Sequence, residues 1–138
     1  LILANRNFAD GADIAGAQAV AATAPYLAAA GFQTVTGTDL PSRDLRARLS
    51  ALLQVIDPRD RVVIVLAGHF AQSDGETWFL GTEAAVPDLA TVGAAAVALS
   101  TVLEIAARAP GGAVVILGTE ARDLPLGKLL RPGIGRLD

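Results

Sequence analysis

Short apolar runs alternate with longer helix-like stretches along the chain. Four runs are typical of β-strands: residues 1–4, 33–37, 62–67 and 113–117. Three stretches are typical of helices, because small or apolar residues recur there at helical spacing: residues 14–30, 42–56 and 95–108. Strands that alternate with helices predict an α/β fold, with a mostly parallel sheet and helices on both faces.

Single residues predict where some of these helices begin or break. Pro25 predicts a kink or a boundary inside residues 14–30, because proline cannot donate the backbone hydrogen bond of a helix interior. Ser42 is a predicted N-cap of the second helix. Thr101 and Glu104 have the spacing of a capping box in the third helix.

A β-hairpin is predicted directly after the strand at residues 62–67. Asp74-Gly75 lies between two extended segments and is a strong short-hairpin signal. Trp78 is predicted to be a packed apolar anchor of this hairpin. The remaining tail, residues 122–138, is rich in proline and glycine and predicts loop structure. We expect one domain over residues 1–138 that belongs to a longer protein, since no further strand follows.

Composition excludes several classes of function. The 138 residues are 52% hydrophobic and carry a net charge of -3, which argues against a nucleic-acid surface. No apolar run reaches the roughly 18 residues of a membrane span. The chain has no cysteine and one histidine, so thiolate metal sites and disulfides are excluded. No cofactor or metal is predicted. The compartment (cytoplasmic, periplasmic or secreted) and the oligomeric state stay open.

The candidate chemistry lies at the ends of two predicted strands. His69 follows the strand at residues 62–67, and Gly118-Thr119-Glu120 follows the strand at residues 113–117. Because parallel strands end at the same edge of a sheet, we expect His69 near Glu120, and an ion pair between them is one hypothesis. The alternative is that His69 is a structural residue whose hydrogen bonds are satisfied at the strand end.

Two further arrangements of polar residues are possible. Ser73 and Asp74 follow His69 closely, but neighbours in one hairpin rarely reach triad geometry, so an ordinary turn is favoured. Asp10, Asp13 and Asp39 follow the first two predicted strands, where a cation could bind. Solvated or capping roles are favoured for these three carboxylates.

Five segments, which together extend over nearly the whole chain, follow one another in the order of the motifs of a known family. They are residues 1–5 with Phe8, residues 27–32, residues 60–69, the hairpin that ends at residues 78–80, and residues 114–122. In this order they resemble the opening strand, the entry to strand two, the histidine strand, the hairpin and the cysteine strand of the caspase, metacaspase and orthocaspase superfamily. The resemblance implies a caspase-like three-layer sandwich of bacterial origin, in its large-subunit-like part.

This chain departs from the family at the positions of the nucleophile and of the substrate-binding residues. Glu120 occupies the position of the cysteine nucleophile that His69 would assist, and a carboxylate is a weak nucleophile whose charge repels an oxyanion. Gly118 replaces an aspartate that binds a basic substrate side chain, and Ala19 stands where another acidic pocket residue lies. Phe70 adds bulk where a glycine lets substrate approach.

The resemblance therefore implies a pseudopeptidase rather than an enzyme. The expected role is a protein-binding, regulatory or scaffolding module, with a peptide or protein partner along the strand ends or an active homologue that it regulates. Two alternatives stay open. One is an active caspase-family hydrolase that uses a nucleophile outside this chain or one altered here. The other is a flavodoxin-like small-molecule-binding domain, which the same alternation of strands and helices allows.

Overall fold

The computed structural model describes residues 1–136, which form two four-stranded β-sheets and four α-helices. The strands are β1 (Ile2–Ala4), β2 (Thr36–Thr38), β3 (Val62–Ala67), β4 (Phe70–Gln72), β5 (Thr77–Leu80), β6 (Ala96–Ala98), β7 (Ala113–Gly118) and β8 (Arg131–Pro132). The helices are α1 (Gly16–Ala21), α2 (Ala24–Ala29), α3 (Ser42–Val55) and α4 (Leu99–Ala106), with a 3₁₀ turn at Val92–Ala94. None of these helices is long and apolar enough to cross a membrane.

The first sheet is parallel throughout and has the strand order β2-β1-β3-β7. Ala67 is in register with Ala4 on one side and with Gly118 on the other. The carboxyl ends of β1, β3 and β7 are therefore level. The predicted α/β class with a mostly parallel sheet is confirmed.

Helices cover both faces of this sheet. On one face, α3 and α4 pack against alternate residues of β1 and β3, and their contacts include Leu45, Leu49, Val102, Leu3, Ile64 and Leu66. On the other face, Ile14 and Ala17 pack against Ala4 and Ala67. The result is three layers. Strand β7 is an edge strand, and its Val114 and Ile116 side chains are about half exposed.

The second sheet is antiparallel, with the order β6-β5-β4-β8. Its β4–β5 hairpin confirms the turn predicted at Asp74-Gly75, and Phe70 is in register with Phe79 across it. Trp78 is partly buried and packs on a second apolar cluster, as expected of a hairpin anchor. This sheet was not predicted beyond the hairpin itself.

Asn5 connects the two sheets. It is buried at the end of β1, and its Oδ1 atom accepts a hydrogen bond from the Leu40 N–H at 2.8 Å. Its Nδ2 atom donates to the carbonyl oxygens of Leu40 at 3.1 Å and Leu80 at 3.2 Å. The end of the parallel sheet is thereby joined to the end of β5, next to the point where β3 ends.

The boundary predicted at Pro25 is confirmed, because residues 14–30 divide into two helices and Pro25 lies in the first turn of the second. Two other predicted boundaries are wrong. The second strand is Thr36–Thr38 rather than residues 33–37. Residues 95–108 begin as strand β6, since pairing with β5 overrides the helical preference of an alanine-rich segment. Only Leu99–Ala106 is helical there.

Both predicted caps are also wrong. The capping box at Thr101 and Glu104 lies inside α4, whose N-cap is Ala98. Ser42 is the first residue of α3 rather than its N-cap, and its N–H donates to the Glu83 carboxylate. In both helices, a hydrogen bond to a glutamate from another segment takes the place of the predicted local cap.

Candidate functional site

Gly68 determines how His69 leaves the parallel sheet. A Cβ atom at Gly68 would lie 3.1 Å from the Asn5 carbonyl oxygen and 3.1 Å from Cε1 of Phe79. A side chain there would force Asn5 or Phe79 to shift by a few tenths of an ångström. Glycine at this position lets β3 pass closely over Asn5 and turn into the hairpin. His69 is the residue at that turn.

The His69 side chain is buried and hydrogen-bonded. The residue is 2% exposed, and its Nε2 atom lies 2.6 Å from the Ala12 carbonyl oxygen. Since a carbonyl oxygen only accepts, Nε2 must carry the proton, which leaves Nδ1 as the acceptor of the neutral ring. The Phe8 ring contacts the imidazole edge to face, with ring centroids 4.5 Å apart.

Burial lowers the pKa of His69 below its ordinary value of 6.5, because an imidazolium is poorly solvated there. The hydrogen bond to Ala12 acts in the opposite direction and only partly offsets the burial. His69 is therefore a neutral imidazole near pH 7, stabilised in one tautomer by a backbone carbonyl.

Glu120 follows β7 and its carboxylate is bound on both oxygens. Oε1 accepts a hydrogen bond from the Gly16 N–H at 2.7 Å, and Oε2 pairs with Nε of Arg122 at 3.2 Å. The Gly16 hydrogen bond is the main cause that lowers the pKa of Glu120, followed by the bond from Arg122. The residue is an anion that connects the end of β7 to the first turn of α1.

The hypothesised ion pair between His69 and Glu120 is wrong. Among the ion pairs formed within residues 1–136, none joins these two side chains. His69 is bound to Ala12, and Glu120 is bound to Gly16 and Arg122. The two strand ends are adjacent, but each polar group has a partner elsewhere.

His69, Phe70 and Glu120 nevertheless share one cavity, of about 420 Å³, at the carboxyl ends of β3 and β7. We call it the His69 cavity. Its other walls are Thr119, residues 121–124, Pro132 and Gly133. Gly118 and Ala19 do not line it: Gly118 is the last residue of β7, and Ala19 is exposed on α1.

The loop before α1 is hydrogen-bonded at Ala12 to two residues that line the His69 cavity. Its N–H donates to the Asp123 carbonyl oxygen at 2.9 Å, while its own carbonyl oxygen accepts from His69. The loop before α1 is thus held between the imidazole and the segment after β7. A ligand reaching Nε2 of His69 would have to displace this loop.

Ser73 and Asp74 take no part in this site. The Ser73 hydroxyl accepts the Gly75 N–H at 3.3 Å within the turn, and the Asp74 carboxylate pairs with Arg131 at 3.1 Å. The expectation of an ordinary turn is met, with these two side chains hydrogen-bonded within the hairpin and to β8.

The hypothesised cation site at Asp10, Asp13 and Asp39 is not formed. Among residues 1–136, no three metal-ligating side chains come together. Asp39 accepts hydrogen bonds from the Arg6 and Asn7 N–H groups at 2.7 and 3.0 Å. Burial alone would raise the pKa of Asp39, but these bonds and the Asn7 side chain outweigh it and lower the pKa.

Sequence reasoning missed Glu76 and Glu83, whose contacts indicate a structural role for Glu120. The Glu83 carboxylate accepts hydrogen bonds from the N–H and hydroxyl of Ser42 at the start of α3. The Glu76 carboxylate accepts hydrogen bonds from the N–H and hydroxyl of Ser100 in the first turn of α4. Glu120 makes the equivalent contact to α1. No local motif signals these contacts, because each carboxylate comes from a distant segment.

The chain matches no model of a known protein family, and no curated protein matches it in sequence. The fold class is therefore established by the structure alone.

Proposed function

We propose that this chain is a caspase-like pseudopeptidase, a cysteine-endopeptidase fold that has lost its nucleophile and serves as a protein-binding or regulatory module. The order of motifs along the sequence supports this proposal. The level ends of β3 and β7 support it further, because His69 and Glu120 follow these ends and line one cavity.

The role of Glu120 carries the proposal. Its carboxylate is bonded to Gly16 and Arg122, in the same way that Glu83 and Glu76 bind the first turns of α3 and α4. A carboxylate used as a helix cap stabilises the fold and is not free to attack a carbonyl. Its negative charge also opposes an oxyanion at this place. The residue at the nucleophile position is a structural group.

The environment of His69 suits a retained dyad histidine. Nε2 donates to the Ala12 carbonyl oxygen, which fixes the tautomer and leaves Nδ1 as the acceptor of the neutral ring. A histidine that assists a nucleophile needs such a ring nitrogen directed at that group. The proposed loss of catalysis therefore rests on Glu120 and not on His69.

The partner that fits is a short peptide segment of another protein. The His69 cavity is open to solvent along Thr119, Ala121 and Arg122, all on the exposed segment after β7. Gly118 and Ala19 supply no carboxylate and do not line the cavity. The guanidinium of Arg122 is paired with Glu120, and Asp123 also lines the wall, so charge at the rim does not select for an acidic residue.

Cleavage of a mixed peptide library tests the loss of catalysis. Substrates with Arg, Lys or Asp before the scissile bond are incubated with the chain and with its Glu120→Cys and His69→Ala variants. We expect no turnover by the unmodified chain, and weak turnover by Glu120→Cys if the strand ends keep peptidase geometry. Turnover by the unmodified chain that His69→Ala abolishes would overturn the proposal.

Binding of the same library, without cleavage, tests the positive half of the proposal. Ala121→Trp adds bulk at the wall of the His69 cavity, and Ala28→Trp adds the same bulk on the exposed surface of α2. We expect peptides that are retained by the unmodified chain to be retained by Ala28→Trp as well, but not by Ala121→Trp. Equal retention by all three proteins would place peptide binding elsewhere and contradict the proposal.

A further inference from the structure

A larger cavity, of about 740 Å³, lies at the opposite edge of the parallel sheet from His69. We call it the Arg48 cavity. It opens where β1 and β3 begin, between the second half of α3, the turn that leads into β3 and the loop after α2. Its volume is within the range of small-molecule sites, which is roughly 300–1,000 Å³.

The walls of the Arg48 cavity are largely apolar. They include Leu27, Val35, Leu52, Val55, Ile56 and Val62. Val55 is 74% exposed and Val35 is 49% exposed. Large apolar side chains beside a concave surface gain free energy when a ligand removes them from water. The apolar part of a ligand has a surface to cover here.

The charged residues of the walls are mostly basic. Arg48, Arg59 and Arg61 line the cavity together with one carboxylate, Asp60. The side chain of Arg59 is exposed and paired with Asp57 at 3.4 Å. The Asp60 carboxylate accepts the Asp57 N–H at 2.8 Å and so belongs to the turn. Arg48 and Arg61 are the cations that remain for a ligand.

Arg48 and Arg61 both line the Arg48 cavity. Arg48 is half-buried on α3, and the Arg61 guanidinium lies over the Phe32 ring, 5.7 Å from its centroid. Neither takes part in an ion pair within residues 1–136. The C-terminus of α3 adds a partial negative charge of about half a unit, which is smaller than the positive charge of the two arginines. The cavity is therefore positive, although the net charge of the chain is -3.

We propose that the Arg48 cavity binds a small amphiphile that has one anionic head group and an unbranched apolar body. The guanidinium groups of Arg48 and Arg61 pair with the head, since planar guanidinium matches carboxylate and phosphate oxygens. The apolar body covers Val35, Leu52 and Val55. This site is independent of the peptide-binding proposal, because it lies at the other edge of the sheet.

Calorimetric titration of the full chain with decanoate and decyl phosphate tests the site, and the tighter of the two identifies the head group. Decanol and decylammonium have the same body with no charge or the opposite charge. We expect at least one anion to bind about tenfold or more tightly than decanol, from the charge-assisted hydrogen bonds. Binding of decylammonium as tight as that of both anions would refute the assignment, and so would no measurable binding of either anion.

Variants locate the site. Arg48→Gln and Arg61→Gln should each weaken anion binding about tenfold without changing decanol binding. Arg43→Gln is the matched control, because Arg43 is exposed on the same helix and does not line the cavity. Ala51→Phe, at the cavity wall, should weaken anions and decanol alike. Unchanged anion binding in both cavity arginine variants, or an equal loss in Arg43→Gln, would contradict the proposal, as would binding to phosphatidylglycerol vesicles but not to the monomeric anions.

Discussion

The Glu120 carboxylate accepts a hydrogen bond from the Gly16 N–H at 2.7 Å, across 104 positions of sequence. Backbone N–H groups in the first turn of a helix have no partner within the helix, and an acceptor there stabilises the helix. None of α1, α3 and α4 has a side-chain cap from its own N-cap residue. Remote glutamates take that role, which explains a glutamate at the end of β7 without reference to catalysis.

Gly16→Ala should separate Glu120 from α1 without changing any charge. A Cβ atom at residue 16 would lie 2.6 Å from Oε1 of Glu120, so the flexible carboxylate must move away. The pKa of Glu120 should then rise toward its ordinary value, because the Gly16 hydrogen bond is the main cause that lowers it. Carboxyl-carbon NMR titration measures this, with Gly93→Ala as the control. An unchanged pKa would show that the bond does not persist in solution.

The single histidine allows an unambiguous NMR titration. We expect the pKa of His69 below 6.5, because burial disfavours the imidazolium. We also expect the same pKa in Glu120→Gln, since no ion pair joins the two residues. A pKa above 6.5, or one that moves in Glu120→Gln, would mean that the charged ring has a partner in solution.

The same lowered pKa predicts how stability depends on pH. Well above pH 6.5 His69 is neutral in both the folded and the unfolded chain, so it contributes no pH dependence there. As the pH falls below 6.5, the unfolded chain binds a proton that the folded chain resists, and the free energy of unfolding decreases. Chemical denaturation at a series of pH values measures this slope. His69→Gln, which keeps a donor near Ala12, should reduce the slope, and an unchanged slope would assign the effect to other groups.

Asn5→Ala should destabilise the fold by about 2–4 kcal/mol, because it removes three hydrogen bonds and leaves the partly buried Leu40 N–H without its partner, while the Leu40 carbonyl oxygen keeps the Thr82 N–H. Asn7→Ala is the matched control. Asn7 is exposed, and its side chain donates to Asp39 at the surface, so a loss of about 0.5 kcal/mol or less is expected. Urea denaturation compares the two, and similar losses would show that Asn5 does not connect the sheets energetically.

Gly68→Ala should cost about 1–3 kcal/mol, because the added methyl overpacks the contact with Asn5 and Phe79. Gly93→Ala meets no atom within 4 Å and should be nearly neutral. Thermal unfolding of both variants measures the difference. The His69 resonances should also shift in Gly68→Ala alone, since Gly68 sets the turn that positions the ring. Equal stability of the two variants would show that the contacts of Gly68 with Asn5 and Phe79 tolerate a methyl group.

The sequence predicted the parts of the fold that depend on local hydrophobic pattern. The apolar runs at residues 62–67 and 113–117 are strands, and Asp74-Gly75 is a hairpin turn, because burial and turn geometry are local properties. Strand β6 was missed, since alanine-rich residues suit a helix and the pairing with β5 decided otherwise.

The candidate site was predictable in position but not in its bonding. Parallel strands end at one edge, so the proximity of His69 and Glu120 to one cavity followed from strand order. Their actual partners, Ala12 and Gly16, lie in the loop before α1 and in its first turn. No hydrophobic pattern specifies which backbone group a side chain will meet across 57 or 104 positions of sequence.

Strand β7 has a consequence for the behaviour of the chain in concentrated solution. Within residues 1–136 it pairs on one side only, with β3, and half of its Val114 and Ile116 surface is in contact with water. An uncharged strand with a free row of N–H and C=O groups is a template for intermolecular β-pairing. The exposed edge of β7 therefore limits the colloidal stability of the chain rather than its free energy of unfolding. We expect Ile116→Lys to raise the colloidal stability.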